Sequence, residues 1–214
     1  MNKQFRRLAT NLDFSNVLAE VEANEELFEK SSFRQNFKAS PFVHTQSIAC
    51  RLTYETDMDP DMTETELLYH RARKGVRNLN AIDTSEYAQL PAVYNAVMNL
   101  ASAVKAEQIG RVLVAKLFPG GEIKRHRDYG PYHDYYDRFH IVLGGEGCFF
   151  RCENEVVKML PGDVWTFNDR DLHEVWNDSD SPRIHIVIDF KLKGERVARW
   201  PEVVGYRNNV EFIG

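Results

Sequence analysis

The chain has 214 residues, 43 % of them hydrophobic and 28 % charged, which is enough to bury the core of one globular domain. Its net charge of −5 argues against a nucleic-acid partner, which would need a broad basic surface, so we expect a small-molecule or peptide partner. No apolar run approaches the roughly 20 residues that cross a bilayer, and the N-terminal segment lacks the pattern of a secretory signal. Three cysteines, Cys50, Cys148 and Cys152, form no CxxC pair, so we expect free thiols and a cytoplasmic location.

The first half of the chain is predicted to form helices around one strand. Helical spacing of apolar residues is found in DFSNVLAEVEANEELFEK (13–30), and TETELLYHRARK (63–74) opens with capping-box spacing. LPAVYNAVMNLASAVKAEQIG (90–110) places Pro91 in a first turn and is expected to end at Gly110. FVHTQSIACRLTYE (42–55) is typical of a strand that extends the sheet formed later in the chain.

From Arg111 onward the pattern changes to short strands separated by turns. The predicted strands cover 111–118, 122–128, 138–143, 147–153, 155–160, 163–168, 172–177 and 183–191. Eight strands of this spacing predict a sandwich or jelly roll. We therefore expect one mainly β domain over 1–214, with an outer helical flank over 1–110, a β core over 111–193 and a tail over 194–214.

Polar pairs recur on three of these strands. Residues two apart on a strand face the same side, and the pairs are His126 with Asp128, Arg138 with His140, and Arg183 with His185. Such pairs can face water on a half-solvated sheet, or they can line the interior of a barrel-like sandwich. The repetition of Arg and His, rather than Lys, Glu and Thr, favours the interior.

The pair His126 and Asp128 also has the spacing of two metal ligands. His173, in NDRDLHEVWND, is the best candidate for a third, and two imidazoles with one carboxylate leave coordination positions open. Such a set favours Fe(II) with O₂, and zinc remains an alternative. Arg183, expected on the strand beside that of His173, could hold one end of a dicarboxylate whose other end reaches the metal.

Four motifs together resemble one known family. HRD (126–128), RFHIVL (138–143), PGDVWTFNDRDLHEVWN (161–177) and PRIHIVIDF (182–190) are similar to the aspartyl/asparaginyl β-hydroxylase family of 2-oxoglutarate- and Fe(II)-dependent oxygenases. The resemblance implies a double-stranded β-helix, a cupin-like jelly roll. It further implies iron ligation by His126, Asp128 and His173, with Fe(II), 2-oxoglutarate and O₂ as cofactors.

The resemblance also assigns the cosubstrate side of the site. Arg183 would hold the distal carboxylate of 2-oxoglutarate, with Arg138 and His140 beside it. Asp128 replaces a glycine of the animal members, so the chain resembles more closely the HxD-containing branch that is similar to free-proline cis-hydroxylases. Ala115 stands where some members supply a serine hydroxyl to the cosubstrate.

Residues that contact the substrate are expected in the loop between two site strands. DYGPYHDYYD (128–137) is too polar and too rich in turn residues for a strand, and it offers Tyr129, Tyr132 and His133 as a lid or as substrate contacts. Arg51, in the first β-like segment, is a further candidate. We predict hydroxylation of an unactivated C–H of an amino acid or of a side chain in a peptide. The alternatives are a metal-binding cupin with isomerase-like chemistry and a non-catalytic binding module.

Overall fold

The computed structural model describes residues 4–28, 40–53, 79–128 and 130–193. The helix predicted over 63–74, the tail over 194–214 and Tyr129 lie outside these ranges. All eight strands predicted after residue 110 are present, and none of their ends is shifted by more than three residues. Within the described residues, no helix has the length and apolarity needed to cross a membrane.

Strands dominate the described part of the chain. They are β1 (Phe5–Ala9), β2 (Thr45–Thr53), β3 (Ala81–Asp83), β4 (Gln108–Leu117), β5 (Glu122–His126), β6 (Asp137–Gly144), β7 (Cys148–Cys152), β8 (Glu155–Lys158), β9 (Val164–Phe167), β10 (His173–Asn177) and β11 (Arg183–Lys191). The α-helices within the described residues are α1 (Ser15–Ala23), α2 (Pro91–Ala103) and α3 (Pro131–Tyr135). Short 3₁₀ helices cover Glu25–Leu27 and Tyr87–Gln89.

The strands form two antiparallel sheets. The larger has the order β1-β9-β6-β11-β4-β2-β3, and the smaller has the order β5-β10-β7-β8. One apolar cluster packs α1 and α2 on the larger sheet, and a second joins the inner faces of the two sheets. The fold is therefore a mainly β, cupin-like jelly roll with helices outside, as predicted. The cysteines are free and buried, also as predicted.

The end of α2 differs from the prediction. The helix stops at Ala103, and Lys105 turns the chain with a φ of 55°, so that β4 begins at Gln108. Gly110 lies inside β4 instead of ending the helix. Glycine is required at this position because a Cβ would lie 2.5 Å from the Tyr132 hydroxyl. The sequence also failed to predict β1 and β3, which are short edge strands of the larger sheet.

Candidate metal and cosubstrate site

Strand pairing brings two histidines side by side on the smaller sheet. His126 is the last residue of β5, His173 is the first of β10, and the two are register partners. Asp128 follows β5 by two residues, where its backbone N–H donates to the carbonyl of Asp169 over 3.0 Å. One side-chain ligand atom from each of His126, Asp128 and His173 lies within 4.8 Å of the others. The structure thus places the three predicted ligands together.

Backbone carbonyls fix the orientation of both imidazoles. Nδ1 of His126 lies 2.7 Å from the carbonyl oxygen of Lys124, and Nδ1 of His173 lies 2.9 Å from that of Asp171. A carbonyl oxygen can only accept, so each Nδ1 carries the proton and each Nε2 keeps a lone pair. Burial, followed by the proximity of His126, lowers the pKa of His173 to about 4, which keeps this ring neutral. Neutral imidazoles with free Nε2 atoms are the form that binds a metal.

The carboxylate of Asp128 is ionised and held from one side. Burial alone would raise its pKa, but Arg138 and three nearby histidines outweigh burial and hold the pKa well below its usual value. Oδ2 accepts a hydrogen bond from Nη1 of Arg138, whereas Oδ1 faces His126 at 3.9 Å from Nε2. One oxygen is therefore occupied by the protein and the other faces the two imidazoles.

All three nitrogens of the Arg138 guanidinium donate to carboxylates. Besides Asp128, it donates to Asp189 from Nε over 2.9 Å and from Nη2 over 3.2 Å. The same arginine, after the opposing effect of burial, lowers the pKa of Asp189 to about 2. Arg138 lines the cavity, but its hydrogen bonds go to Asp128 and Asp189.

Arg183 is a buried cation that lacks a counter-ion among the described residues. Its exposed fraction is 2 %. Nη2 donates to Nδ1 of His185 over 2.8 Å, and the guanidinium lies 4.8 Å from the centre of the Phe150 ring. Nε has no hydrogen-bond partner within the described part of the chain. Burial lowers the pKa of Arg183, because a charged group is less stable away from water. A buried guanidinium without a counter-ion is stabilised when an anion binds to it.

The position of Arg183 in the fold differs from the prediction. The sequence placed it on the strand beside that of His173, but β11 belongs to the larger sheet and β10 to the smaller one. Arg183 therefore faces the histidines across the interior of the jelly roll. Arg183, His126 and His173 line the same cavity.

His140 also lies in the cavity, where it is almost completely buried. Its ring contacts those of Phe150, Phe167 and His185. Burial, followed by the nearby Arg183, lowers the pKa of His140 well below its ordinary value. Nε2 has no hydrogen-bond partner among the residues that the structure describes. The neutral ring thus presents an unused polar atom close to Arg183.

Two further strands contribute the floor of the cavity. On β4 the alternating residues Arg111, Leu113 and Ala115 line it. Ala115 lacks a hydroxyl, but its register partner on β2 is Ser47, which lines the cavity as well. A hydroxyl is therefore present one strand away from the position where the sequence lacks one.

The segment predicted as a loop forms a short helix that packs against the site. Tyr132 is buried, and its hydroxyl accepts the backbone N–H of Arg111 over 2.7 Å. His133 lines the cavity and lies 3.3 Å from Asp169 through Nδ1 and 3.2 Å from Arg111 through Nε2. His133, Asp128 and Asp169 also lie close enough to hold an ion. The guanidinium of Arg111 can only donate, so Nε2 of His133 is the acceptor and the ring proton is on Nδ1. Nδ1 therefore donates a hydrogen bond to Asp169.

Arg51 is not brought to the cavity. A bulge between Ala49 and Arg51 shifts the register of β2 on β4, so that Arg51 leaves the row of Thr45 and Ser47. Its guanidinium contacts the carboxylate of Asp83 and the carbonyls of Ala81 and Gly110. The guanidinium of Arg51 donates to these three acceptors near the edge of the larger sheet, so it does not face the cavity.

Sequence analysis missed two site residues, Arg111 and Asp189. Both lie on cavity-facing positions, Arg111 two residues before Leu113 and Asp189 six after Arg183. The signal was available, because Asp189 continues the alternation that begins at Arg183 and His185. It was hidden by the bulges that disturb strand pairing near both residues.

Comparison with known proteins adds the family. The profile described as aspartyl/asparaginyl beta-hydroxylase matches residues 62–192, which is more than half of the chain. The chain belongs to this family. The human aspartyl/asparaginyl beta-hydroxylase is 41 % identical over 49 residues, covering 23 % of this chain and 6 % of the human protein. The mouse protein of the same description is 41 % identical, with 7 % of its length matched.

Comparison with solved structures finds weak matches to a hydroxylase and to a cupin. A prolyl-4-hydroxylase from Pseudomonas putida is 12 % identical to this aspartyl/asparaginyl beta-hydroxylase family member, with a TM-score of 0.44 and coverage of 89 % of this chain and 94 % of that chain. A cupin-superfamily sugar phosphate isomerase from Silicibacter pomeroyi is 26 % identical, with a TM-score of 0.32 and coverage of 43 % and 56 %.

Proposed function

We propose that the protein is an Fe(II)- and 2-oxoglutarate-dependent oxygenase that hydroxylates a C–H bond of an amino acid, either free or within a peptide. The observation that carries the proposal is the buried guanidinium of Arg183, which has no counter-ion among the described residues and shares its cavity with two imidazoles and one carboxylate. A metal site that acts only on water or on an uncharged substrate needs no second anion site across the cavity. The charge of Arg183 therefore supports a site for an anionic cosubstrate and is not expected in a cupin that acts on an uncharged substrate.

The donor set fits Fe(II). His126 and His173 present Nε2 lone pairs because their Nδ1 protons are donated to carbonyls, and Asp128 presents Oδ1 because Arg138 holds Oδ2. These three side chains would hold Fe(II) and would leave part of its coordination sphere open to small molecules. When bound, Fe(II) with 2-oxoglutarate and O₂ supplies the oxidising power to insert oxygen into a C–H bond, with release of succinate and CO₂.

Residues around Arg183 fit a carboxylate. The planar guanidinium can offer its unpaired Nε together with a terminal nitrogen in two parallel hydrogen bonds, and the anion would cancel the buried charge. We infer that the hydroxyl of Ser47 supports this carboxylate in place of one at Ala115, and that Nε2 of His140 faces the cosubstrate.

The remaining lining residues exclude water from the reacting centre. Phe42 contacts the ring of His126, Phe167 contacts that of His173, and Val175 completes the apolar wall on the smaller sheet. In such surroundings the charge-assisted hydrogen bonds of Arg138 and Arg183 are stronger than in water. The site thereby limits oxidation to a bound substrate.

A spectroscopic titration tests the proposal. Purified protein is mixed with Fe(II) and then with 2-oxoglutarate without oxygen, and we expect a weak visible charge-transfer band that saturates with the cosubstrate. Glutarate, which has both carboxylates but no keto group, serves as the control and should give no band. Failure to obtain the band at saturating 2-oxoglutarate would refute the oxygenase function and leave the isomerase-like cupin.

A further inference from the structure

The outer face of the smaller sheet carries a line of four side chains that crosses its strands. Ile123 of β5 and Val175 of β10 line the cavity, so the residues next to them point to the opposite face. Register pairing places four outward-facing residues in one line across β8, β7, β10 and β5, namely Lys158, Phe149, Trp176 and Glu122. We call this line the outer row. It has a cation at one end, an anion at the other and two aromatic rings between them.

The aromatic centre of the outer row is ordered and partly exposed. The rings of Phe149 and Trp176 are stacked, with centroids 5.5 Å apart and an interplanar angle of 14°, and neither residue is fully buried. Nζ of Lys158 lies 5.8 Å from the Phe149 centroid, and the Arg151 guanidinium lies 5.3 Å from the Trp176 centroid. Val156, on β8, is 46 % exposed. Aromatic rings and an arginine that are already ordered at the surface are typical of a protein interface.

A second line, parallel to the outer row, repeats its arrangement of charges. Arg151 of β7 and Glu174 of β10 are register partners, and Nη1 of Arg151 donates to Oε1 of Glu174 over 2.6 Å. Both lines therefore have the cation on the β8–β7 half of the face and the anion on the β10–β5 half. Beyond them, the Nη2 atoms of Arg125 and Arg127 lie 3.9 and 3.8 Å from the carboxylate oxygens of Glu153, which offsets part of their charge within the chain.

This face is complementary to itself. A two-fold axis that runs parallel to the strands, midway between β7 and β10, packs the sheet face to face on the same sheet of a second copy. In that arrangement β8 lies opposite β5 of the second copy, β7 lies opposite β10, and each residue stays in its own line. Each contact occurs twice, as a closed two-fold interface requires. The facing pairs are Lys158 with Glu122, Phe149 with Trp176, and Arg151 with Glu174.

We propose that the protein forms a symmetric dimer through the outer face of the smaller sheet. A second copy is the occupant that the face favours, because symmetry supplies an anion opposite each cation of the two lines and a ring opposite each ring. Four strands about 4.8 Å apart give a face roughly 20 Å wide, which is small for a stable interface, so we expect dissociation in the micromolar range. None of the facing side chains lines the cavity, so the dimer does not depend on the proposed function.

Sedimentation velocity tests the proposal on protein at concentrations from about 1 µM to a few hundred micromolar. The wild type should change from monomer to dimer across this range. Lys158→Glu and Glu122→Lys should each weaken the dimer by about tenfold or more, because each places like charges together at both ends of the outer row. Lys105→Glu is the matched control, since Lys105 is also an exposed lysine but follows α2, outside the larger sheet. It should dimerise as the wild type does.

Mixing the two charge-reversal variants separates a two-fold contact from damage to the fold. Within one chain, Lys158 and Glu122 are separated by two strands, roughly 14 Å, so they do not form an ion pair with each other. A dimer of one Lys158→Glu chain and one Glu122→Lys chain has opposite charges at both ends of the outer row. The mixture should therefore dimerise about as strongly as the wild type, and so should the variant that carries both substitutions.

Three results would overturn the proposed dimer. The first is wild-type protein that stays monomeric at the highest concentration. The second is a dimer whose dissociation constant both charge reversals leave unchanged, which would show that another surface forms it. The third is a loss of dimerisation that neither the mixture nor the double substitution restores, which would show that the two residues do not face each other.

Discussion

Arg183 donates from Nη2 to Nδ1 of His185 over 2.8 Å, and this bond fixes the proton positions of a buried pair of histidines. Because Nδ1 of His185 accepts, its proton is on Nε2. Nδ1 of His140 lies 3.3 Å from the same atom and must therefore be the donor. Burial, with the nearby Arg183, lowers the pKa of both rings well below the ordinary value, so both stay neutral. A neutral support leaves the full charge of Arg183 for a ligand.

Replacement of Arg183 tests the anion site directly. Arg183→Ala should raise the 2-oxoglutarate concentration required for half-maximal succinate formation by an order of magnitude or more, because the two-bond carboxylate contact is lost. Steady-state kinetics measure the change. An unaltered requirement would move the carboxylate contact to another arginine of the cavity.

His185 is a positioning residue for Arg183. His185→Phe keeps a ring that can stack on Phe150 but removes the acceptor for Nη2, so the KM for 2-oxoglutarate should rise by about tenfold with a smaller change in kcat. His185→Gln restores an acceptor and should recover part of the affinity. Equal losses in KM and kcat for both variants would indicate damage to the packing instead.

Asp128 is expected to be required for metal binding. Asp128→Ala should weaken Fe(II) binding by at least tenfold, measured by calorimetry without oxygen, because two imidazoles alone hold the ion less tightly. Asp134→Ala is the control, since Asp134 also pairs with an arginine, Arg170, over 2.8 Å but is exposed. Similar losses in both variants would contradict a specific role for Asp128.

Asp189 should stabilise the folded protein in a pH-dependent way. Its pKa of about 2 lies below the ordinary 3.8, so its contribution is complete above about pH 4 and is lost as the pH falls toward 2. Asp189→Asn leaves Arg138 and Arg111 short of a buried counter-ion and should cost about 3 kcal/mol of unfolding free energy at pH 7. Urea denaturation at pH 7 and pH 3 should show the difference shrinking at the lower pH.

Gly110 is expected to tolerate no side chain. Gly110→Ala would place a Cβ 2.5 Å from the Tyr132 hydroxyl and 2.9 Å from Tyr136, so it should destabilise the protein by about 1–3 kcal/mol. Gly144→Ala, also in a strand, brings its Cβ no closer than 3.8 Å to Leu18 and should change stability by less than about 1 kcal/mol. Thermal unfolding of the two variants provides the comparison.

The strands and the proximity of the three candidate ligands could be predicted because they depend on short-range patterns. His126, Asp128 and His173 were identified from spacing on two strands, and their convergence requires only that β5 and β10 pair. The hydroxyl of Ser47 next to Ala115 could not be predicted. Ser47 lies beside Ala115 only because β2 pairs with β4, which are separated by more than 50 residues of sequence.

Charge partners were the least predictable part of the site. Arg138 was expected beside the cosubstrate, but its bonds to Asp128 and Asp189 depend on the packing of three separate segments. The predicted position of Arg183 beside the strand of His173 was also wrong, because β10 and β11 follow each other in the chain but lie in different sheets. Local alternation gives the face of a residue, whereas the opposing residue depends on topology.

The division of the site between two layers has a mechanical consequence. The imidazoles of His126 and His173 belong to the smaller sheet and Arg183 to the larger one, so a molecule that reaches from the ion to Arg183 fastens one layer to the other. If 2-oxoglutarate is that molecule, as proposed, its binding would link the two sheets. Its conversion to succinate would remove the link, so the sheets would be least firmly joined when the product leaves.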